Sequence, residues 1–316
     1  LWNAARFVLM NLEGYSPQPI DVAALPLEDR WLLSRLATVT QQVTEGIDQF
    51  KFAEVARILY DFAWDEFCSF YVEIAKPRLA DPDQRSTTQN VIAHGLDTLL
   101  RLLHPIMPFV TESIWGYLGQ LAEERGLEPT GVSTFLLTAD WPEIQQGHHN
   151  ETIERHFAEF QQVVGAIRRI RASQNIPPRE TGPVSIRCDD VSQRLLAPMK
   201  AYFEALAGAE VTSIGAFAQP FETDAPLALP SIDIEVHVDL EKFIDVEAEL
   251  LRLEKLLAQV ERQIAGKESK LANQGFVSRA PEEVVAKERA TLKELISQRE
   301  AVQRDFGKLK EKNSSN

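Results

Sequence analysis

The densest group of basic residues in the chain is Arg168, Arg169 and Arg171. On a helix, the i,i+3 spacing places Arg168 and Arg171 on one face, whereas Arg169 points elsewhere. Guanidinium groups held in this way could bind the phosphates of a nucleic acid, or they could pair with acidic side chains of the same protein. The residue types alone leave both interpretations open.

The sequence contains no pattern typical of a catalytic or metal site. It has no glycine-rich phosphate loop, no HxxH or CxxC pair and no nucleophile elbow. Asp61 with Asp65, and Glu66 with Glu73, could act as pairs of carboxylates, but on a helix they are typical of a solvent-exposed edge with partners on neighbouring helices. We therefore expect a binding module that contains neither a catalytic nor a metal site.

Composition and charge are those of a globular protein with an uneven charge distribution. Of 316 residues, 44% are hydrophobic and 25% are charged, and no apolar run approaches the ~20 residues of a membrane span. The net charge is −14, yet residues 241–316 hold 15 Lys or Arg and 14 Asp or Glu. An acidic body with a nearly neutral segment is compatible with local RNA contacts, but not with indiscriminate coating of nucleic acid. Two distant cysteines, Cys68 and Cys188, favour a reducing compartment.

Residues 1–149 carry the apolar spacing of helices and predict a helical bundle. The segment from Phe52 to Leu79 is the most apolar, and Pro77 is expected to end its helix. Its second apolar stripe includes Tyr60 and Trp64, so we expect this helix in the middle of the bundle.

Residues 150–240 differ, because short segments with strand character follow a helix. The helix spans about residues 150–174, and strand character marks residues 184–188, 211–217 and 232–238, with helical residues 192–207 between the first two. These elements predict a small α/β junction domain.

Residues 241–316 contain two heptad runs separated by a short loop, residues 273–281. Lys267 fills the one polar position of the first run, and Gly275 and Pro281 suit a helix stop and a helix start. The short loop predicts an antiparallel coiled-coil hairpin of about 45 Å that protrudes from the body. Since the apolar seam is satisfied within one chain, a monomer is expected. The apolar seam positions are Val246, Leu250, Leu253, Leu257, Val260, Ile264 and Leu271 in the first run, and Val285, Leu292, Leu295, Val302, Phe306 and Leu309 in the second.

Five segments resemble one protein family. The corner from Leu102 to Trp115, which contains His104-Pro105-Ile106-Met107-Pro108-Phe109, resembles the signature of the anticodon-binding bundle of class I aminoacyl-tRNA synthetases of the valine, isoleucine, leucine and methionine group. Four others resemble its valine-specific members: Leu1-Trp2-Asn3-Ala4-Ala5-Arg6-Phe7, Trp64 to Arg78, Ile167 to Ala172, and Asn273 to Val285. The isoleucine-specific members end in a cysteine-bearing zinc region, and no such cysteines occur here. The resemblance covers nearly the whole chain and is weakest over residues 183–232.

The resemblance implies that the bundle binds the anticodon side of a tRNA. Phe7 matches an aromatic residue that offers a stacking platform to an anticodon base, and Arg6 beside it could hold a phosphate or a base edge. Trp2 is expected in the core. The remaining candidates on this side are Lys76 and Arg78 for the RNA backbone, Glu73 for a base amino group, and the junction residues Arg168, Arg169 and Arg171 for phosphate.

The resemblance also implies that the hairpin is an arm leaning on the outer corner of the tRNA. Candidate contacts near its tip are Arg279, Lys287, Arg289 and Lys293, of which Arg289 and Lys293 share one face. Gly266 and Thr291 occupy places where the family has arginines, so the individual contacts depart from the family pattern.

The whole chain is thus expected to be the tRNA-recognition fragment of a longer cytoplasmic synthetase, because it opens inside a helical pattern without an initiator Met. By resemblance, the parent uses ATP and Mg²⁺ in catalytic and editing domains upstream, and its partner is a valine tRNA. The fragment itself is expected to need no cofactor. Two alternatives stay open: the equivalent fragment of another member of the group, and a coiled-coil scaffold without an RNA role.

Overall fold

The computed structural model describes residues 1–143, 146–243, 246–272 and 282–314. They form two compact units, Leu1–Asp239 and Leu240–Asn316. Helices dominate both units, which confirms the predicted mainly α class. The first unit contains both the predicted bundle and the predicted junction domain, and the boundary between them at residue 149 stays a prediction.

In the described part of residues 1–149, the bundle contains six α-helices and one π-helical segment. The elements are α1 (Trp2–Asn11), α2 (Leu27–Asp48), α3 (Phe52–Asp61), the π segment (Phe62–Tyr71), α4 (Val72–Ala80), α5 (Pro82–Leu103) and α6 (Pro108–Leu121). Asp81 caps α5 by accepting a hydrogen bond from the Asp83 backbone N–H, and Pro82 occupies the first helical position. The predicted helix end at Pro77 is wrong, because Pro77 lies inside α4, which continues to Ala80.

A chain of buried aromatic rings joins the bundle to the helix that follows it, α7 (Glu151–Ser173). Trp31 of α2 stacks on Phe157 of α7 with ring centroids 3.9 Å apart, and Phe157 meets Phe160 edge-on at 5.4 Å. Phe160 in turn contacts Phe203 at 4.9 Å. All four side chains are buried, so α7 belongs to the same core as α2.

A four-stranded sheet completes the first unit. Its strands are β3 (Gly182–Arg187), β4 (Ala209–Ile214), β5 (Asp224–Leu229) and β6 (Ile234–Asp239), and the helices α8 (Asp190–Leu196) and α9 (Lys200–Ala207) connect β3 to β4. The strands lie in the order β4-β3-β6-β5. Strands β3 and β4 are parallel, and β6 pairs antiparallel with both β3 and β5. Three strands were predicted, and β5 was missed. Its Pro226 weakens a strand pattern, but β5 lies at the sheet edge, where proline is tolerated. A two-residue pair, β1 (Glu124–Arg125) and β2 (Thr130–Gly131), was also not predicted.

The second unit contains two long helices, α10 (Val246–Ala272) and α11 (Glu282–Ser314), which we call the arm. Lys267 near the end of α10 contacts Glu288 near the start of α11, so the helices run antiparallel, as predicted. Leu253, Val260, Ile264 and Val302 of the predicted seam are buried. Five further seam positions are only half-buried: Leu257, Leu271, Leu292, Leu295 and Phe306. The predicted loop, with Gly275 and Pro281, lies outside the described residues, as do the side chains of Val246, Leu250, Val285 and Leu309.

Candidate nucleic-acid interface

An open groove of about 680 Å³ lies between the start of α1, the π segment and α4, with α7 and α9 adding to its wall. It brings together four of the residues that the sequence predicted to meet RNA. These are Phe7, Glu73, Lys76 and Arg168. We call this cavity the aromatic groove, because the indoles of Trp2 and Trp64 line it beside Phe7.

Phe7 and Lys76 form one side of the aromatic groove. The Lys76 ammonium lies 5.5 Å from the centroid of the half-buried Phe7 ring, within range of a cation–π contact. The same ammonium donates to both carboxylate oxygens of Glu73, at 2.7 and 2.6 Å. The side chains of Lys76 and Glu73 are 47% and 34% exposed, so an incoming ligand can reach both. This side of the groove therefore combines a stacking surface, a cation and an acceptor.

The π segment turns Trp64 outward into the groove. A π-helix places one more residue between hydrogen-bond donor and acceptor than an α-helix, so side chains change face along it. The Ser69 hydroxyl donates to the Trp64 carbonyl, five residues earlier, at 2.7 Å. The predicted interior stripe is wrong at Trp64 and Tyr60, which are 54% and 62% exposed and lie with their rings nearly parallel at 6.5 Å.

Trp2 is also at the surface rather than in the core, which corrects the prediction. Its side chain is 48% exposed and meets Tyr117 edge-on with ring centroids 6.4 Å apart. Sequence analysis missed Trp2 and Trp64 as candidate site residues. The signal available for Trp2 was its position five residues before Phe7, but no pattern in the sequence indicated the π segment.

Arg168 links the junction region to the groove. Its Nε donates to the Leu206 carbonyl of α9 at 2.8 Å, and its guanidinium lies 5.4 Å from the centroid of the Phe70 ring. Partial desolvation lowers the pKa of Arg168, and the Glu73 carboxylate opposes that shift. Since arginine remains charged at neutral pH, Arg168 adds a second cation to the groove. Arg6 and Arg169 are exposed but do not line it.

Arg171 does not belong to this surface. It is 6% exposed, and its guanidinium donates to the carbonyl oxygens of Gly208, Pro177 and Glu180 at 3.0, 3.0 and 2.6 Å. The predicted phosphate contact is not supported, because these hydrogen bonds tie the end of α7 to the turns before β3 and β4.

Arg78 is likewise buried rather than directed at RNA. It is 4% exposed and forms two parallel hydrogen bonds with Asp29, at 2.7 and 2.6 Å. The Tyr71 hydroxyl donates to the same Asp29 carboxylate at 2.7 Å, and the Tyr202 hydroxyl of α9 donates to Glu28 at 2.5 Å. Glu28 lies 3.5 Å from Arg78, so these five residues form one polar network, in which Tyr202 is half-buried and the other four are buried. The network fixes α2, α4, α9 and the end of the π segment relative to one another.

On the arm, the structure places two of the four predicted contacts at the surface. Arg289 and Lys293 are exposed on α11, one turn apart. Arg279 lies outside the described residues, as does the side chain of Lys287. Of the four arm candidates, Arg289 and Lys293 are thus the two whose side chains are described and exposed to solvent.

Among the described residues, no group of His, Cys, Asp and Glu side chains could hold a metal ion. In the same part of the chain, none of the helices combines the length and the apolar character that a membrane crossing requires.

Comparison with known proteins shows two matching families. Residues 29–186 match the family model of the anticodon-binding domain of tRNA ligase, and residues 245–310 match that of the valyl tRNA synthetase tRNA binding arm. Valine--tRNA ligase of Rhodopirellula baltica is 65% identical over 313 residues, which are 99% of this chain and 30% of that protein. The enzymes of the same name from Carboxydothermus hydrogenoformans and Listeria innocua are 38% and 36% identical, over 98% of this chain and 34% of each relative.

The chain thus spans about a third of the length of the curated relatives that it matches. The first family model alone covers half of the chain, from α2 into β3, and the second covers most of both arm helices. The chain therefore belongs to the family of tRNA ligases that carry this anticodon-binding domain, with the tRNA-binding arm of the valyl-tRNA synthetases.

Proposed function

We propose that this chain recognises tRNA for a longer valine–tRNA ligase. The anticodon loop enters the aromatic groove, and the arm contacts the elbow of the same tRNA. The aromatic groove carries the proposal, because it places Phe7, Trp2 and Trp64 beside two cations, Lys76 and Arg168. Trp64 and both cations lie within the region matched by the anticodon-binding family. Splayed bases stack on aromatic rings, while cations bind the phosphates that connect them.

Each groove residue has a proposed part. Phe7 provides the stacking platform, and Lys76 and Arg168 bind phosphate. Glu73 holds Lys76 over the Phe7 ring in the free protein and offers an acceptor to the amino group of a base in the complex. A phosphate that enters the groove competes with Glu73 for Lys76, so binding depends on a rearrangement of this ion pair.

By the same proposal, activation of valine with ATP and Mg²⁺ and its transfer to tRNA belong to the part of the parent enzyme beyond this chain. The partners are then valine tRNAs and the catalytic and editing parts of the same polypeptide, in the cytoplasm, and the parent is a monomer. The chain alone is expected not to catalyse valine-dependent pyrophosphate exchange, and exchange by the purified chain would contradict that division of labour.

Filter binding at low salt tests the recognition role. We expect the chain to prefer valine tRNA over a valine tRNA with an altered anticodon and over a non-cognate tRNA. Preference for another tRNA would favour another synthetase of the group, and indifference to all three would favour a scaffold without an RNA role.

Phe7→Leu sharpens this test. Loss of one stacked base costs about 1–3 kcal/mol, so affinity for valine tRNA should fall about 5- to 140-fold. The matched control is Phe217→Leu, which alters a phenylalanine that is 92% exposed and does not line the groove. Equal affinities of the two variants would remove Phe7 from the interface.

A further inference from the structure

We propose that Lys267, Glu288 and Lys270 form an ion triad that sets the register of the two arm helices. The triad thereby positions Arg289 and Lys293 for RNA. The register itself is independent of the proposed function, and only the effect on RNA rests on it.

The triad consists of two ion pairs that join α10 to α11. Lys267 Nζ lies 2.5 Å from one carboxylate oxygen of Glu288, and Lys270 Nζ lies 2.6 Å from the other. The Glu288 side chain is 14% exposed, less than either lysine, so the carboxylate is enclosed between its partners. The hydrogen bonds from Lys267 and Lys270 lower the pKa of Glu288 to about 2. The Glu288 carboxylate is therefore ionised over the whole neutral range.

The apolar seam by itself specifies register weakly. Among the seam side chains that the structure describes, only Leu253, Val260, Ile264 and Val302 are buried, and the others are half-buried. Since apolar residues recur at heptad spacing on both helices, a shift by one heptad again pairs apolar with apolar. Such a shift moves one helix about 10 Å along the other, at 1.5 Å per residue.

The triad can form in the present register but not in a register shifted by one heptad. With Lys267 opposite Glu288, the antiparallel order places Leu253 opposite Val302 and Val260 opposite Leu295. A one-heptad shift in one direction places Lys267 opposite Leu295, and a shift in the other direction places Glu288 opposite Val260. In either case the triad is broken and a charge faces an apolar seam residue. A single charged seam position is a known way to fix coiled-coil register, at some cost in stability.

The position of the triad links register to RNA contact. Glu288 directs its side chain towards α10, and its neighbour Arg289 is exposed, with Lys293 one turn further along. A heptad shift would therefore move Arg289 and Lys293 by about 10 Å relative to α10. A phosphate contact does not tolerate a displacement of that size.

Disulfide trapping in the full chain tests the register without RNA. Cysteines at Leu253 and Val302 should cross-link in the present register, whereas cysteines at Val260 and Val302 should cross-link after the one-heptad shift that places Lys267 opposite Leu295. Peptide mapping by mass spectrometry separates these products from any disulfide of Cys68 or Cys188. We expect the first cross-link to dominate in the parent, and the second to increase at least several-fold with Glu288→Leu. Glu300→Leu, at an exposed glutamate of the same helix, is the matched control and should leave the pattern unchanged.

Charge exchange separates positioning from direct contact. Lys267→Glu and Lys270→Glu combined with Glu288→Lys should restore the parent cross-link and bring valine tRNA affinity to within about twofold of the parent. Glu288→Leu alone should lower that affinity several-fold with anticodon preference unchanged. An unchanged cross-link pattern in Glu288→Leu would overturn the register role. A restored pattern without restored affinity would overturn positioning in favour of direct lysine contact. Failure of every form, including the parent, to bind tRNA would instead refute the proposed function, since the cross-links need no RNA.

Discussion

The bundle and the arm each hold a carboxylate between two donors, but the surroundings of the two carboxylates differ. Asp29 in the bundle is fully buried and accepts hydrogen bonds from Arg78 and Tyr71. Glu288 in the arm is 14% exposed and is held by Lys267 and Lys270, in a unit whose described part consists mainly of two long helices. Removing the partner of the buried Asp29 is expected to lower the free energy of unfolding. Removing the partner of Glu288 is expected instead to allow a different register of the two arm helices. Similar chemistry thus serves stability in one region and specificity in the other.

The two regions can be followed separately in one sample. All five tryptophans lie in residues 1–141, and residues 241–316 contain neither Trp nor Tyr. Tryptophan fluorescence therefore reports on the first unit alone, while far-ultraviolet circular dichroism also reports on the arm.

Arg78→Ala should have the largest effect in this comparison. It leaves the Asp29 carboxylate buried without its main partner, which costs about 3–5 kcal/mol in the free energy of unfolding. Urea unfolding followed by tryptophan fluorescence measures the loss. The control is Arg57→Ala, which removes an exposed pair with Asp61 at 3.4 Å and should cost less than about 0.5 kcal/mol. Similar losses for the two variants would contradict the role assigned to the buried network.

Glu154→Gln should have an intermediate, pH-dependent effect on the bundle. Burial raises the pKa of Glu154, but hydrogen bonds from Ser34, Arg35 and Thr38 outweigh it and leave the pKa below the ordinary 4.5. A lowered pKa in the folded state gives stability that is present above pH 4.5 and is lost as the pH falls below it.

At pH 7 we expect Glu154→Gln to destabilise the first unit by about 1.5–3 kcal/mol. The difference from the parent should shrink as the pH falls from 4.5 towards 3, because the parent then loses the same charge. Urea titrations at several pH values measure this trend, with Glu123→Gln, an exposed residue, as the control. A difference that is independent of pH would rule out the charged form of Glu154 as the source.

Val302→Ala should have the smallest effect, and it should be confined to the arm. Two buried methyl groups are lost from a seam residue that is 7% exposed, at about 0.8 kcal/mol each. The arm transition seen by circular dichroism should move to lower urea, while the tryptophan transition stays in place. Movement of both transitions together would show that the two units unfold cooperatively.

The sequence by itself determined the mainly α class and the heptad hairpin with its charged position at Lys267, and by resemblance it offered Phe7 and Lys76 as separate candidates. These features depend on residues close together in the chain, where helical spacing and local resemblance are informative. The edge strand β5 was not predicted, because it contains Pro226. Proline is tolerated in a strand only where its backbone has no pairing partner on one side, and the sequence does not show that β5 lies at such an edge.

Only the tertiary structure decided which basic residues face solvent. Arg78 is buried because it pairs with Asp29, 49 residues away, and Arg171 is buried because it binds carbonyl groups of turns that follow α7. It also decided that Trp64 faces the aromatic groove, since the π segment departs from the 3.6-residue period on which every sequence prediction of a helix face depends. Local spacing specifies a helix, but the partner that a charged side chain finds across the fold is fixed only when the helices have packed.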